Sequence, residues 1–275
     1  MKELGIIIPM HEFGKENIQL VNKAIESIPE GISICLSVPK GTTPAKVKGL
    51  SDRAALVPAS EEGSTFADLV NNGVSAFNNN PDVKWFSILE IDDTYTPIWL
   101  ANVKKYIDFM PDTSVFMCLE DITEFGTGKY IGFGNEAAWA SAFSNELGFI
   151  DADCLQNYFD FYLTGSVFNK ADWNEIGGLK PSIKITFWYE WLLRLTNKSK
   201  KVFVIPKVGY NHSLGRKGSL VETYKNTVSK EESQWWFDLA KREYFYKEDR
   251  KKEYKPEIPG SDEEYAPNSE IGAKE

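Results

Sequence analysis

Ser87-Ile-Leu-Glu-Ile-Asp-Asp-Thr-Tyr-Thr-Pro97 is the segment of the chain that says most about its architecture. An apolar run, typical of a strand buried on both faces, leads without a break into Glu90, Asp92 and Asp93, and a turn follows. In open parallel sheets, ligands bind beyond the carboxyl ends of the strands, which is where these three carboxylates fall. Because side chains alternate along a strand, Glu90 and Asp92 point to one side and Asp93 to the other.

Several carboxylates at the end of a buried strand repel one another. A divalent cation with oxygen ligands, Mg²⁺ or Mn²⁺, commonly resolves that repulsion and in turn holds phosphate groups. The alternative interpretation is an acidic surface turn after a strand, and Asp-Asp-Thr alone favours this alternative. The sequence on either side of the segment has to decide between the two.

Strand and helix patterns alternate on both sides of the acidic segment. Strands are predicted over residues 4–8, 32–38, 54–57, 83–91 and 114–119, and amphipathic helices over 18–28 and 66–77. The later half predicts a strand over 161–168, a helix over 185–195, a short strand over 202–205 and a terminal helix over 229–246, with a hairpin-like turn over 126–132. This alternation predicts an α/β fold, a doubly wound and mostly parallel sheet in three layers.

The predicted organisation is one domain over residues 1–246 and a charged tail over 247–275. A nucleotide-binding half takes residues 1–110 and an acceptor-side half takes 111–246. The tail is rich in acids, proline and glycine and has almost nothing apolar, which is the composition of a solvated terminus or a docking segment.

Composition restricts the function classes. The chain of 275 residues is 42% hydrophobic, enough for a sizeable core. Its 40 acidic and 31 basic residues give a net charge of −9, which argues against direct binding to nucleic-acid phosphates, although nucleic acid stays open as an acceptor. No apolar run is long enough to span a bilayer, and residues 1–10 lack a signal-peptide pattern. Three widely spaced cysteines fit neither a disulfide framework nor a zinc site, and a soluble, cytoplasmic protein is expected.

The acidic segment resembles the strand-end motif of GT-A-type glycosyltransferases, particularly the large family 2 group. In that family a hydrophobic strand ends in Asp-X-Asp-Asp, and Pro and an aromatic residue or Leu follow. Here Glu90-Ile-Asp-Asp93 has Glu in the first place, and Pro97 and Leu100 stand at the later positions. The resemblance implies that Asp92 binds a metal ion and the diphosphate of a nucleotide sugar, with Glu90 as a further metal ligand.

Other segments resemble the same family in the same order, over residues 4–220. The opening strand resembles one whose end, here Pro9 and Met10, contacts the nucleotide base. Asn71-Asn-Gly73 resembles an Asn-X-Gly helix and places Asn71 at the donor site. The remaining matches are Thr164-Gly-Ser166, Gly177-Gly178 and the helix Tyr189–Leu195. The resemblance implies a metal-dependent glycosyltransferase that moves a sugar from a nucleotide-sugar donor to a hydroxyl acceptor.

The general base is where the sequence departs from the family. Family members place an Asp six residues before the helix arginine, and Trp188 stands there. The nearest acid is Glu190, four residues before Arg194. Glu190 is either the catalytic base for the acceptor hydroxyl or the partner of Arg194 in a helical ion pair. Two helical residues correspond to a rotation of about 200°, so Glu190 faces the pocket only if the helix starts later or rotates.

The segment Tyr210–Ser219 follows a predicted strand and combines an imidazole, two cations and two glycines. His212 suits Mn²⁺ as a ligand, and Arg216 and Lys217 suit the neutralisation of a leaving diphosphate. A structural role for a lone histidine stays open. Sugars stack on exposed aromatic faces, which makes Trp139 a candidate for lining the acceptor site.

Three function classes remain. The first is an active glycosyltransferase using Mn²⁺ or Mg²⁺, with a glycan, a protein or modified DNA as acceptor. The second, kept open by Glu90 and Trp188, is an inactive GT-A-like scaffold with a binding or virion-associated structural role. A nucleotidyltransferase ranks lower, because no Gly-rich loop follows the first strand. The strand Leu89–Tyr95 and the loop Gly215–Ser219 also resemble proteins encoded by tailed bacteriophages, which implies a location in the host cytoplasm or the virion.

Overall fold

The computed structural model describes residues 3–60, 62, 65–143, 146–219, 222–224 and 230–239. The predicted tail 247–275 and the end of the predicted helix 229–246 lie outside these residues. The strands are β1 (Leu4–Pro9), β2 (Ser33–Val38), β3 (Ala54–Pro58), β4 (Trp85–Ile88), β5 (Thr94–Tyr95), β6 (Thr113–Glu124), β7 (Tyr130–Gly134), β8 (Phe149–Ile150), β9 (Val167–Asn169) and β10 (Lys201–Leu214). The helices are α1 (Lys15–Glu26), α2 (Phe66–Asn78), α3 (Trp99–Phe109), α4 (Ala152–Asn157), α5 (Lys170–Ile176), α6 (Phe187–Asn197) and α7 (Lys230–Leu239).

All the strands belong to one sheet, ordered β3-β2-β1-β4-β9-β6-β10-β5, with β7 on the edge of β6 and β8 beside β10. The first four strands of this order are parallel, and β6 and β10 form a second, long parallel pair. The short strand β9 lies antiparallel between β4 and β6 and joins the two parallel groups. The predicted α/β fold with a mostly parallel sheet is therefore confirmed.

Helices cover both faces of the sheet, as the apolar strands require. Along β1, Ile7 packs into one apolar core with α2 and α6, whereas Ile6 and Ile8 pack into the other with α1 and α3. Close helix packing depends on glycine: a Cβ at Gly73 of α2 would lie 2.5 Å from Cγ2 of Ile7. One core thus lies on each face of the sheet, which gives three layers of helices, sheet and helices.

The predicted strand over 161–168 is wrong except at its end, where β9 begins at Val167. The amide of Asn135 explains this, because its Nδ2 donates to the carbonyl oxygen of Tyr162 at 2.9 Å and its Oδ1 accepts from the Tyr162 N–H at 2.9 Å. A side chain thus takes the place of a neighbouring strand, and residues 158–164 stay irregular.

The predicted strand over 202–205 continues to Leu214. Its pairing with β6 shifts register between Ile205 and Val208, around Pro206, which has no N–H to donate. His212 therefore lies within a strand rather than in a loop. The turn predicted over 126–132 is confirmed as the connection of the antiparallel strands β6 and β7. None of the helices among the described residues has the length and apolarity to cross a membrane.

Candidate active site

A cavity of about 460 Å³ lies beyond the carboxyl end of β4. Glu90 and Asp92 line it from the turn that follows β4, and His212 and Arg216 line it from the end of β10 and the turn after it. Trp188, at the start of α6, lines it as well. The structure thus brings Glu90, Asp92, His212 and Arg216 together at the edge of the sheet where the sequence predicted a ligand site, whereas Lys217 is not among the lining residues.

Tyr210 fixes the turn that carries the acids. Its fully buried hydroxyl accepts the N–H of Glu90 at 3.0 Å, and its ring packs directly on Gly165. Gly165 has a φ of +77°, and its N–H donates to the carbonyl oxygen of Ile88 at 2.7 Å. Only glycine fits there, because the conformation is left-handed and a Cβ would enter the tyrosine ring. The Thr164-Gly-Ser166 motif therefore locks the end of β4 to β10.

Asp92 forms an ion pair with Arg216, whose Nε donates to Oδ2 at 2.7 Å. The Asp92 side chain is 7% exposed and that of Arg216 is 9% exposed, so the pair is shielded from water. Burial and the carboxylate of Asp93 raise the pKa of Asp92 above its usual range, and the guanidinium opposes them. The sequence predicted both residues at the diphosphate but not their pairing, which spans 124 positions.

Asp93 forms the second pair, with His212. Its Oδ2 lies 2.9 Å from Nδ1 of the imidazole, and its Oδ1 accepts the N–H of Ser213 at 2.7 Å. Burial lowers the pKa of His212, but the carboxylates of Asp93 and Glu120 outweigh it, and with Glu90 they raise the pKa to about 10. A protonated imidazole has no lone pair for a metal ion. A protonated His212 would be a cation at this edge of the cavity, and its role as a metal ligand stays a prediction.

Two further acids beside these pairs have raised pKa values. Burial and the carboxylates of Asp93 and Asp92 raise the pKa of Glu90 to about 8, against the opposing charges of His212 and Arg216. Glu120 in β6 is fully buried, and both its carboxylate oxygens lack a hydrogen-bond partner in the described part of the chain. Burial raises the pKa of Glu120 well above its usual range. The sequence reasoning missed Glu120, whose only signal was a charged residue directly after an apolar strand pattern.

Glu90 and Asp92 are the two cavity-lining residues that could bind a divalent metal ion beside a diphosphate. In the described residues, no group of three or more His, Cys, Asp or Glu side chains is arranged to hold a metal ion. Both carboxylates line the cavity, and hard oxygen ligands of this kind suit Mg²⁺ and Mn²⁺. Mg²⁺ often takes only one or two protein carboxylates and completes its shell with phosphates and water. The residues present thus fit a metal ion that arrives with a diphosphate.

The residues predicted on the nucleotide side are less available than expected. Met10 is fully buried, and its N–H donates to the carbonyl oxygen of Ser37 at 2.9 Å; Pro9 before it is buried too. Nδ2 of Asn71 donates to the carbonyl oxygen of Leu179 at 2.7 Å, and its Oδ1 accepts the N–H of Leu179 at 3.0 Å. Both ends of the Asn71 amide are therefore used in holding the turn before α6, and neither is left to bind a nucleotide sugar.

Glu190 lies outside the cavity lining and is fully buried. Arg194 donates to it from Nε at 2.8 Å and from Nη2 at 3.0 Å, and Nζ of Lys180 lies 2.6 Å from Oε1. Arg194 also donates to the carbonyl oxygens of Ile176, Gly177 and Gly178. This network corrects the expectation that Glu190 is the base: the residue two positions earlier, Trp188, faces the cavity instead.

The turn after β10 brings further groups to the mouth of the cavity. Gly215 and Gly218 adopt φ values of +88° and +81°, and the N–H of Gly218 donates to Oε2 of Glu222 at 2.7 Å. Lys217 is exposed on this turn, and its contact with a diphosphate stays a prediction. The side chain of His11 is only 18% exposed, and its Nε2 lies 3.8 Å from Oε1 of Glu12; burial and the charge of Arg216 lower the pKa of His11, against the opposing charge of Glu12.

Aromatic side chains form much of the remaining wall. Phe66, Phe159, Tyr162, Trp188 and Tyr224 are among those that line the cavity. The predicted candidate Trp139 is not, because its Nε1 donates to the carbonyl oxygen of Val204 at 3.0 Å and its ring packs at 6.0 Å from Phe203. The aromatic content of this region was visible in the sequence, but not which rings reach the cavity.

Neither a protein-family model nor a curated protein matches this sequence. Solved structures do match it. TarS of S. aureus is similar over 88% of this chain and 42% of its own, with a TM-score of 0.56 and 12% identity. TarS in complex with UDP-GlcNAc is similar over 81% of this chain and 61% of its own, with a TM-score of 0.56 and 12% identity.

The mannosyltransferase PcManGT of Pyrobaculum calidifontis, in complex with GDP-Man and Mn²⁺, is similar over 78% of this chain and 58% of its own. Its TM-score is 0.54 and its identity 13%. This chain thus spans less than two thirds of the length of each of these proteins. At such identities the similarity shows a shared fold.

Proposed function

We propose that this protein is a glycosyltransferase that moves a sugar from a nucleotide-sugar donor to a hydroxyl acceptor, a glycan, a protein or modified DNA. The observation that carries the proposal is the Asp92–Arg216 pair, which lines a cavity beyond the carboxyl end of β4. The fold shared with TarS and PcManGT supports it. The donor would bind on the side of residues 1–110, and the acceptor on the side of α6 and residues 158–164.

Arg216 has hydrogen-bonding capacity left for a diphosphate. Nε donates to Asp92, whereas the described residues offer no hydrogen-bond partner to its two Nη groups. Guanidinium groups bind phosphate oxygens in pairs, so these groups suit the β-phosphate of a donor. His212, held protonated by Asp93, adds a second fixed positive charge at the cavity. Both cations would stabilise the charge that develops on the leaving diphosphate.

Glu90 and Asp92 would hold Mn²⁺ or Mg²⁺ together with the donor. When bound, such an ion supplies Lewis-acid stabilisation of the leaving diphosphate. The protein's own contribution is to keep the two carboxylates on one turn, with Arg216 beside them to balance charge.

A catalytically inactive scaffold is the second candidate. The observation that favours it is on α6, where Trp188 faces the cavity and Glu190 is bound into the Arg194 network, so that neither supplies a base. A scaffold of this kind would still bind a nucleoside diphosphate. Release of nucleoside diphosphate from a donor is what separates the two candidates.

Binding of UDP and GDP, measured by thermal shift and calorimetry with MnCl₂ or with EDTA, tests the proposal. Wild type should be stabilised by one of the two diphosphates, more with Mn²⁺ than with EDTA. Asp92→Asn should weaken that binding by about 10- to 100-fold, since a hydrogen bond to a charged group contributes about 1.5–3 kcal/mol. Asp112→Asn, an exposed acid outside the cavity, is the matched control. Equal binding by Asp92→Asn and wild type would refute the site.

A further inference from the structure

Asp160 is an exposed carboxylate on the aromatic part of the cavity wall, outside the acidic turn that carries Glu90 and Asp92. It belongs to the irregular segment between α4 and β9, flanked by aromatic residues. The ring of Phe159 packs edge-on against Tyr189 of α6 at 6.0 Å, and Phe161 packs against Tyr158 at 4.9 Å. Aromatic packing on both sides therefore fixes the backbone that carries Asp160.

Four carboxylates line the cavity, and three of them have other tasks. Asp92 pairs with Arg216, and Glu222 accepts the N–H of Gly218. Glu90 belongs to the acidic turn. For Asp160 the described residues provide neither a hydrogen bond nor an ion pair.

The charges that act on the residues next to Asp160 differ in part from those that act on the acidic turn. The charges that shift the pKa of Glu90 are those of Asp93, Asp92, His212 and Arg216, all from the acidic turn or the end of β10. Burial raises the pKa of Tyr158 and raises that of Tyr162 to about 12, and the charge of Asp160 adds to both shifts, with Glu120 adding to that of Tyr162. The ring of Tyr162 lies 5.6 Å from that of His212, so Tyr162 connects the segment that carries Asp160 with the end of β10.

We propose that Asp160 is the catalytic base that accepts the proton of the acceptor hydroxyl. This inference rests on the proposed glycosyl transfer. In a displacement with inversion, the acceptor oxygen attacks the anomeric carbon on the side opposite the leaving diphosphate. The base must therefore lie apart from the leaving diphosphate and within hydrogen-bond reach of the acceptor. Asp160 lines the same cavity as Asp92 and Arg216 but comes from a different segment, between α4 and β9.

The step balances without a further reagent. The acceptor oxygen forms its bond to the anomeric carbon while its proton moves to a carboxylate oxygen of Asp160. The bond between the anomeric carbon and the phosphate oxygen breaks, and its electron pair leaves on the nucleoside diphosphate. Because Asp160 is exposed, it returns the proton to water after the product leaves.

The surroundings of Asp160 favour a neutral sugar ring as acceptor. Phe159, Tyr162 and Trp188 offer flat apolar faces to a sugar ring. The oxygens of the Asp160 carboxylate can accept hydrogen bonds from the hydroxyl groups of that ring. Suitable probes are therefore p-nitrophenyl glycosides, with UDP-GlcNAc, UDP-glucose or GDP-mannose as donor and Mn²⁺ present.

The test compares wild type, Asp160→Asn, Asp160→Glu and the control Asp112→Asn. Asp160→Asn should lower kcat for release of nucleoside diphosphate by about 10²- to 10⁴-fold, the usual effect of removing a general base. The melting temperature and the affinity for UDP or GDP should not change, because Asp160 is exposed and is not bonded to the Asp92–Arg216 pair. Asp160→Glu should recover part of the rate, and the basic group that limits kcat at low pH should disappear from the pH profile of Asp160→Asn.

The outcomes are distinguishable. Transfer by Asp160→Asn at the wild-type rate overturns this inference and leaves the proposed function intact. If no glycoside accepts sugar, hydrolysis of the donor uses water as acceptor and needs the same base, so Asp160→Asn should slow it too. A wild type that binds a diphosphate but neither transfers nor hydrolyses overturns the inference in favour of the scaffold. A wild type that binds no diphosphate overturns the proposed function itself.

Discussion

Two arginine–carboxylate pairs in this molecule share their chemistry and differ in how completely they are satisfied. Arg194 holds both oxygens of Glu190 and donates to three backbone carbonyl oxygens as well. Arg216 makes one hydrogen bond to Asp92 and faces a cavity. In the sequence, Glu190 was either the catalytic base or the partner of Arg194, and Asp92 was a ligand for the metal ion and the diphosphate. Unused hydrogen-bonding capacity, rather than charge or burial, separates the pair that supports the fold from the pair that can receive a ligand.

The largest effect is expected from Glu190→Ala. Removing this carboxylate leaves Arg194, whose side chain is 16% exposed, without its charged partner. Breaking a buried ion pair by removing one partner costs about 3–5 kcal/mol. The free energy of unfolding, measured by urea denaturation, should fall by that amount, and the rate of sugar transfer per folded molecule should stay at the wild-type value. A stable variant that has lost transfer would restore Glu190 as the base.

The effect expected next in size is from Arg216→Ala, and it concerns binding rather than folding. Loss of the guanidinium should weaken UDP or GDP binding by about 1.5–3 kcal/mol, or about 10- to 100-fold, because charge-assisted hydrogen bonds to phosphate are lost. Uridine and guanosine lack the diphosphate and serve as matched ligands whose affinity should change little. Calorimetry with the four ligands makes the comparison. Equal losses for nucleoside and diphosphate would assign Arg216 to a structural role like that of Arg194.

Much of the fold follows from local patterns in the sequence. The strands β1 to β4 and the helices between them are short apolar and amphipathic runs, and each was predictable from its own residues. The failures come from distant partners. Residues 158–164 carry a strand-like pattern, but Asn135, with a φ of 70° and 27 positions from Tyr162, binds their backbone instead. The continuation of β10 to Leu214 depends on β6, which lies elsewhere in the chain.

In the candidate site, too, some features could be predicted from local sequence and others depend on distant partners. Asp92 and Arg216 were both predicted at the diphosphate, Asp92 from the strand-end acidic motif and Arg216 from the positive charge of the segment Tyr210–Ser219. The pairing of Asp93 with His212 spans 119 positions and has no local signal. Glu190 is the opposite case: the i, i+4 spacing to Arg194 and the helical rotation already indicated a pair away from the cavity. Local geometry was the better guide there than the family position.

The smallest effect is expected from Lys180→Met, which removes the third partner of Glu190. Lys180 lies 2.6 Å from Oε1 but is 45% exposed, and an exposed ion pair contributes only about 0–1 kcal/mol. Because Arg194 already binds both carboxylate oxygens, the loss of Lys180 leaves no oxygen of Glu190 unpaired. Urea denaturation should give a free energy of unfolding within about 1 kcal/mol of wild type. A loss as large as that of Glu190→Ala would mean that Arg194 alone does not satisfy the carboxylate, and the contrast with Arg216 would then fail.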